Sequence, residues 1–346
     1  MNKITRIGLD IAKNIFVLHA VNEHGKLVKR QTLNRSKVLE CFANIEPCIV
    51  GIESCASSQH WAREIAKFGH TVKLMNPKFV VPYRKSGKND ANDAEAICEA
   101  VGRPNMRFVP VKSVEQQAVC SLHTGRQFLV VQRTALINHC RGLLTEFGII
   151  MPLGADKVRR LFAEILADEN ASVPLFLKDL LQQHLQDLAR LEQRIEAIDK
   201  QLAEWAKTNQ QAMTLLQMLG VGVITATAFA AGVCDAQLFE NGRQFAAWLG
   251  LVPRQYSSGG KNKLGSITKA GDVYLRTMLA QGARSIVFNA KKKSDPFSLW
   301  IQRLLERAGM NKTVIAVAAK QARIMWAIMA KNQDYQPERI CSPLSA

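Results

Sequence analysis

Ile4-Thr-Arg-Ile-Gly-Leu-Asp10 and Cys48-Ile-Val-Gly-Ile-Glu53 are two short apolar runs, and each stops at an acid. Runs of this length and composition read as buried strands. Ile15–Asn22 is a second β-rich run, and Lys26–Leu33 is a third after the turn Glu23-His24-Gly25. Val38–Ile45 reads as a short helix, Ser58–Phe68 as a longer one and His70–Met75 as another strand. Three hairpin-connected strands followed by strands alternating with helices is the RNase-H-like order, an α/β class.

That order gives the acids a place. Asp10 ends the first strand and Glu53 the fourth. Asn76–Asn89 is rich in Lys, Gly, Pro and Ser and reads as a loop; a capped helix starts at Asp90. Asp90 and Asp93 are three apart, so they share a helix face. In an RNase-H-like sheet the two central strands end side by side and a helix packs beside them, which brings the four carboxylates together. Hard divalent cations take oxygen ligands, and two of them can flank a phosphorus in in-line displacement. Clustered carboxylates without a cation repel one another, so a cluster of this kind argues for metal. Simpler readings exist for single members, Asp10 as a turn residue and Asp90 as an N-cap. The ordered set of four is the more specific signal. An actin-like or sugar-kinase fold also opens on a strand ending Gly-Leu-Asp, but it needs glycine-rich phosphate loops in both halves. Here Ile11-Ala12-Lys13 follows the acid, and no matching later loop is evident.

The charge balance suits a polyanionic partner. Lys and Arg number 46 against 29 acids, a net charge of +17 in 346 residues. Between Arg254 and Arg323 there are 14 basic residues and three acids, so a phosphate-binding surface is expected there. The eight cysteines form no CxxC pair and no histidine has finger spacing, which argues against zinc and for free thiols in a reducing cytoplasm. The N-terminus has no signal-peptide core, and no uncharged apolar run reaches membrane-spanning length, so no membrane role is expected.

A long helical region runs from about Val114 to Phe147. From Leu181 to Trp205, apolar residues recur at spacings of three and four, the pattern of a coiled coil, a helical-hairpin arm or one amphipathic helix packed within the monomer. A second globular region opens with Leu219-Gly-Val-Gly-Val223 between helical stretches. Gly220 and Gly222 there resemble a helix-hairpin-helix turn, whose backbone amides approach phosphate; ordinary helix packing uses such glycines too. The expected organisation is a nuclease domain at 1–112, a helical linker and coiled coil at 113–210, a mainly α C-terminal domain at 211–335 and a flexible tail at 336–346. His123 and His139 read as surface or core groups and Trp248 as a packing residue. Lys291-Lys292-Lys293 reads as backbone contact beside a basic domain.

Ile7–Lys13, Gly51–Ala56 and Lys88-Asn-Asp-Ala-Asn-Asp-Ala94 resemble the DEDD motif of insertion-sequence transposases of the one-ten family, whose relatives include pilin-gene DNA invertases. Gln244–Pro253, Tyr256-Ser-Ser-Gly259 and Lys269-Ala-Gly271 are similar to that family's C-terminal transposase domain. The resemblance implies a RuvC-like, RNase-H-like N-terminal domain with Asp10, Glu53, Asp90 and Asp93 as catalytic Mg²⁺ ligands. It also implies an essential serine, aligned with Ser258, that attacks the DNA phosphate; Ser257 beside it leaves the register open. Ser257-Ser258-Gly259-Gly260 reads as an exposed, flexible loop. Lys85, Lys88, Arg254, Lys261, Lys263, Lys269 and Arg276 are candidate phosphate contacts. The implied partners are element-end and target DNA, a guide RNA encoded by the element, and further copies of the chain in a dimer or tetramer, in a cytoplasmic, nucleoid-associated setting. An invertase or junction-resolving nuclease of the same fold is the alternative. A nucleic-acid-binding protein with a decayed nuclease fold would lack some of the four acids, and all are present.

Overall fold

The computed structural model describes residues 3–85, 87, 89–151, 154–168 and 173–336. The chain divides into two compact units, Met1–Ser113 and Val114–Ala346.

The first unit holds strands β1 (Arg6–Ile11), β2 (Ile15–Val21) and β3 (Leu27–Asn34), then helix α1 (Val38–Ala43), β4 (Ile49–Glu53), α2 (Ser58–Ala66) and β5 (Thr71–Met75). The short α3 (Pro77–Val80), α4 (Asp90–Val101) and β6 (Phe108–Val109) follow. The six strands form one mixed sheet in the order β3-β2-β1-β4-β5-β6. β1, β2 and β3 are antiparallel neighbours, β1–β4 and β4–β5 are parallel, and β6 closes the edge antiparallel to β5. β6 has no counterpart in the sequence reading, because two residues are too few for a periodic signal. The expected loop at 76–89 contains α3 and a 3-10 turn, Val81–Tyr83. Asn76 caps α3 by accepting from the Lys78 amide at 3.0 Å, and Pro77 supplies a preset helical φ.

The two faces of this sheet differ. Ile7, Leu9, Phe16 and Leu33 lie in a core with Phe42 of α1 and Trp61, Ala62 and Ile65 of α2. Full burial of each large side chain contributes roughly 1.5–3 kcal/mol. On the other face β1 presents Gly8, where an added Cβ would stand 2.1 Å from the Ala94 carbonyl oxygen and 2.4 Å from the Cys98 amide. Its register partner on β4 is Gly51, where a Cβ would stand 2.7 Å from Cβ of Val101. This pair of glycines forms the bed on which α4 lies.

The second unit is mostly helical. α5 (Val114–Thr145), α6 (Ala155–Ala167) and α7 (Leu175–Thr208) come first, followed by α8 (Gln210–Leu216), α9 (Val223–Gly232) and α10 (Gly242–Trp248). Strands β7 (Pro253–Ser258) and β8 (Lys261–Ile267) precede α11 (Val273–Ala290), α12 (Pro296–Ala308) and α13 (Met310–Lys331). The hairpin β7–β8 interrupts the mainly α region expected here. α5 and α7 run antiparallel: Glu115 accepts from the Trp205 indole at 2.6 Å, Arg126 meets Asp199 and His139 meets His184. The apolar stripe at Leu181, Leu188, Ile195 and Leu202 is buried inside the chain, so its partners are intramolecular. Here the helical-hairpin reading holds for the stripe.

His123 of α5 is buried, and its ring nitrogens bond Tyr274 Oη at 3.0 Å and Thr227 Oγ1 at 3.1 Å. Burial lowers its pKa to about 4, with Arg126 adding to the effect. α13 is long and apolar enough to cross a membrane by length and composition alone. It carries Lys312, Lys320 and Arg323, and buries Val314, Val317, Ala318, Ala322, Met325 and Ile328 in a core with Leu279 and Ile286 of α11. It is a core helix of this unit. The seven described cysteines are free. The expected tail at 336–346 lies outside the described residues from 337 onward.

Candidate active site

Strand alternation carries the α4-facing side of β1 from Gly8 to Asp10, and that of β4 from Gly51 to Glu53. Both acids therefore emerge two residues beyond the glycine bed, on the face where α4 crosses. α4 lies with Ala94 and Cys98 over Gly8 and its last residue, Val101, over Gly51, so its first turn reaches the strand ends. That turn carries Asp90 and Asp93. Neither caps the helix: Asn89 does, accepting from the Asn92 amide at 2.8 Å. The capping reading of Asp90 is thereby corrected, and its carboxylate has no capping duty.

Asp10 feels the other three acids. Asp10 is pushed up to about 6, first by burial and then by repulsion from Asp93, Asp90 and Glu53 in that order. The Cys55 thiol is also raised, by burial and then by Glu53 and Asp10. The cluster is nonetheless open. Among the described residues no three His, Cys, Asp or Glu groups stand at metal-binding separation. Asp93 leans on Arg84, with Nη1 to Oδ1 at 3.5 Å. Like charges without a cation between them repel, and the Arg84 guanidinium offsets part of the charge at Asp93. An all-oxygen, net-anionic donor set on three elements is the chemistry that a hard divalent ion completes. Arg84 is not singled out by the sequence, since its pairing depends on how Val81–Tyr83 turns. The bed had a signal: Gly-Leu-Asp and Gly-Ile-Glu each place a glycine two residues before the acid.

In the second unit the serine segment is an ordered hairpin. Gly259 and Gly260 form its turn with φ of +56° and +78°, a double left-handed turn that matches strand twist and favours glycine. The register pairs Tyr256 with Lys263, Ser257 with Asn262 and Ser258 with Lys261. Directly paired residues share a face, so Tyr256, Ser258, Lys261 and Lys263 project to one side. Arg254 joins them, since a Cβ on Gly265 would approach both Tyr256 and Arg254. Ser257 lies on the other side with Gln255, whose amide donates to the Ser257 hydroxyl at 2.9 Å. Both serines are exposed.

The remaining predicted contacts divide. Arg276 donates from Nη1 to the carbonyls of Leu249 (3.0 Å) and Ala270 (2.9 Å), bracing the hairpin's base. Lys269 sits beside it with φ of +54°, and Lys85 is ion-paired to Glu95. Lys88 lies outside the described residues. Gly220 is a packing glycine: a Cβ there would meet Ile286 at 2.7 Å, and one on Gly282 would meet the Gly220 carbonyl at 2.2 Å. Gly222, at the start of α9, faces open space. Trp248 packs against Phe239 and Phe245, as expected.

An acidic cluster on a mixed sheet and a basic serine hairpin on a helical unit are the parts of a DNA-processing enzyme, and the comparisons name its class as transposase. Residues 7–149 match a family model described as a transposase of the DEDD IS110 type. Residues 212–298 match the model of the transposase IS116/IS110/IS902 family. Similar proteins include a "Probable family 20 transposase" of Pseudomonas aeruginosa, 47% identical over 96% of this chain and 99% of the relative. The transposase for insertion sequence element IS1111A of Coxiella burnetii is 40% identical over 97% and 92%. A pilin gene-inverting protein of Moraxella bovis is 23% identical over 96% and 97%. The chain belongs to the IS110/IS116 transposase family, enzymes of DNA cleavage and strand transfer.

Proposed function

We propose that the first unit is an RNase-H-like, RuvC-like nuclease domain and that the chain cuts and rejoins DNA through two groups. Asp10, Glu53, Asp90 and Asp93 would hold divalent metal, Mg²⁺ being the hard cation suited to carboxylates and phosphate. Ser258 would be the nucleophile. The observation that carries the reading is geometric: Asp10 and Glu53 emerge two residues beyond the paired Gly8 and Gly51 on which α4 lies, and the first turn of α4 carries Asp90 and Asp93. Bound there, the ion supplies charge neutralisation for the phosphate and its leaving oxygen.

Ser258 is favoured over Ser257 by its face. Lys261 lies directly opposite it and Lys263 and Arg254 share its side, so the register sets cations on the face that carries the Ser258 hydroxyl. The Ser258 oxygen attacks phosphorus, an O–P bond to the serine forms, and the bond to one strand oxygen breaks. That oxygen leaves with a proton, and the serine proton passes to solvent or a basic neighbour. Rejoining reverses the exchange with a new strand hydroxyl, so no external energy source is consumed. Arg254, Lys261, Lys263 and Lys269 neutralise the phosphate backbone, while Arg276 keeps the hairpin upright.

The same basic surface fits an element-encoded guide RNA, and assembly as a dimer or tetramer is part of the reading, with the protein acting in the cytoplasm beside the chromosome. The domain reading at 1–112, 113–210 and 211–335 separates nuclease, helical arm and serine region. The pilin gene-inverting relative makes site-specific inversion the second reading. The test is excision in cells, with trapping of covalent protein–DNA adduct in denaturing gels. Ser258→Ala is expected to abolish adduct, with Ser257→Ala retaining it and Glu53→Gln abolishing cleavage. Adduct formed by Ser258→Ala would overturn the assignment.

A further inference from the structure

An open cleft of about 670 Å³ lies in the first unit, lined by Asn14, Asn34, Arg35, Ser36, Leu39, His60 and Trp61. Its position follows from topology. β1 and β3 run in the same direction, so the turn after β1 and the end of β3 reach the edge where Asp10 and Glu53 emerge. Trp61 packs edge-on against Phe16 at 4.9 Å, which belongs to the face opposite α4. The cleft and the acids therefore share one edge of the sheet from its two sides.

Its lining combines a stacked guanidinium with neutral amides. The Arg35 guanidinium lies over the Trp61 ring at 5.0 Å, and its Nη1 donates to the Lys13 carbonyl at 3.2 Å. Its backbone amide donates to the Asn14 carbonyl at 2.8 Å, so the arginine is held from both ends. A guanidinium lying on an indole offers its other face as a stacking platform and its free edge to phosphate. Asn14 and Asn34 add amides able to meet the edge of a base, and Ser36 and His60 add smaller polar groups. Among the described residues no acid lines the cleft. The indole nitrogen of Trp61 is buried with no hydrogen-bond partner among the described residues.

The geometry points to a subsite for one unpaired nucleotide of the DNA strand that crosses the sheet edge beside the acidic cluster: its base stacks on Arg35 and its phosphate pairs with the same guanidinium. The inference rests on the proposed DNA cleavage at that edge. A strand bound on both sides of the edge would be fixed in direction as well as position, which in-line attack requires.

The test uses the full chain with a deoxytrinucleotide carrying central 5-iodouracil, photocrosslinked in chelator and moderate salt, with crosslinked peptides read by mass spectrometry. Crosslinks are expected within residues 34–39 and 59–63. Arg35→Ala should reduce them roughly tenfold, the scale of a lost base–arginine stack, and Arg35→Lys should restore less than half. Asn14→Ala, a second variant outside the core, should also weaken them. Ser258→Ala and Glu53→Gln should leave the crosslinks unchanged. Loss of cleavage in Glu53→Gln with crosslinks intact separates this site from the metal cluster. Cleavage retained in Glu53→Gln would sink the metal reading and leave the crosslink result standing. Crosslinks confined to other segments, or undiminished in Arg35→Ala, would overturn the subsite. Displacement of the probe at lower concentration by the ribotrinucleotide than by the deoxy form would overturn its assignment to DNA.

Discussion

Replacing Asp10 with asparagine should make the protein more stable and inactive. Its carboxyl is raised from 3.8 to about 6 by burial and by three neighbouring acids. For a fully enclosed group a shift of this size would correspond to about 3 kcal/mol. Asp10 is half-buried and solvent screens the repulsion, so roughly 1 kcal/mol is the realistic share, about 4–8 °C in Tm for a unit of this size. The sign follows from the protons. Between 3.8 and about 6 the unfolded chain loses a proton that the folded chain keeps, so wild-type stability falls as pH rises through that window. The neutral amide of the Asp10→Asn variant has no proton to lose there. Urea unfolding in chelator at about pH 8 should therefore favour the variant, and the advantage should vanish by about pH 4. Millimolar Mg²⁺ should stabilise wild type more than the variant and narrow or reverse the difference. A variant no more stable than wild type at the higher pH, or an equal gain at both, would refute the argument that burial and repulsion of the Asp10 charge destabilise this edge.

Gly8→Ala should lift α4 from its bed, because the new methyl would meet backbone at 2.1 and 2.4 Å; we expect a loss of about 3 kcal/mol in urea melts. In protein that still folds, cleavage should fall about 100-fold, since Asp90 and Asp93 ride on the displaced helix. His123→Phe should flatten acid sensitivity in the second unit: the native histidine stays neutral down to about 4, so its contribution is complete above 6.5 and lost as pH falls toward 4, visible in Tm against pH. Exchanging the hairpin's serines, Ser257→Ala against Ser258→Ala, should split adduct yield by at least about 1,000-fold if one hydroxyl is the nucleophile.

Much of the first unit was legible because its signals are local. Short apolar runs and terminal acids marked β1 and β4, and the Asp-x-x-Asp spacing set two carboxylates on one face of α4. Details that depend on three-dimensional competition were not. Asn89 and Asp90 are both good caps by type, and it is the Asn89 side chain that takes the Asn92 amide. The pairing of Arg84 with Asp93 requires the turn at Val81–Tyr83, hidden in a segment that reads as loop. In the second unit the apolar stripe at Leu181–Leu202 was plain, but a stripe does not say whether its partner lies in the same chain. α5 answers that through Glu115, Arg126 and His139. The hairpin is hard to read because Lys261–Ile267 has little apolar alternation, so Gly259-Gly260 looks like slack chain.

The hairpin's register sets a parity rule for this protein's relatives and for anyone engineering it. Adding one residue between Ser258 and the Gly259-Gly260 turn would pair Ser258 with Asn262 and set its hydroxyl on the side away from Lys261 and Lys263, while adding two would pair it with Lys263 and return it. Viable length variation here should therefore come in even steps, or be paired with a compensating bulge.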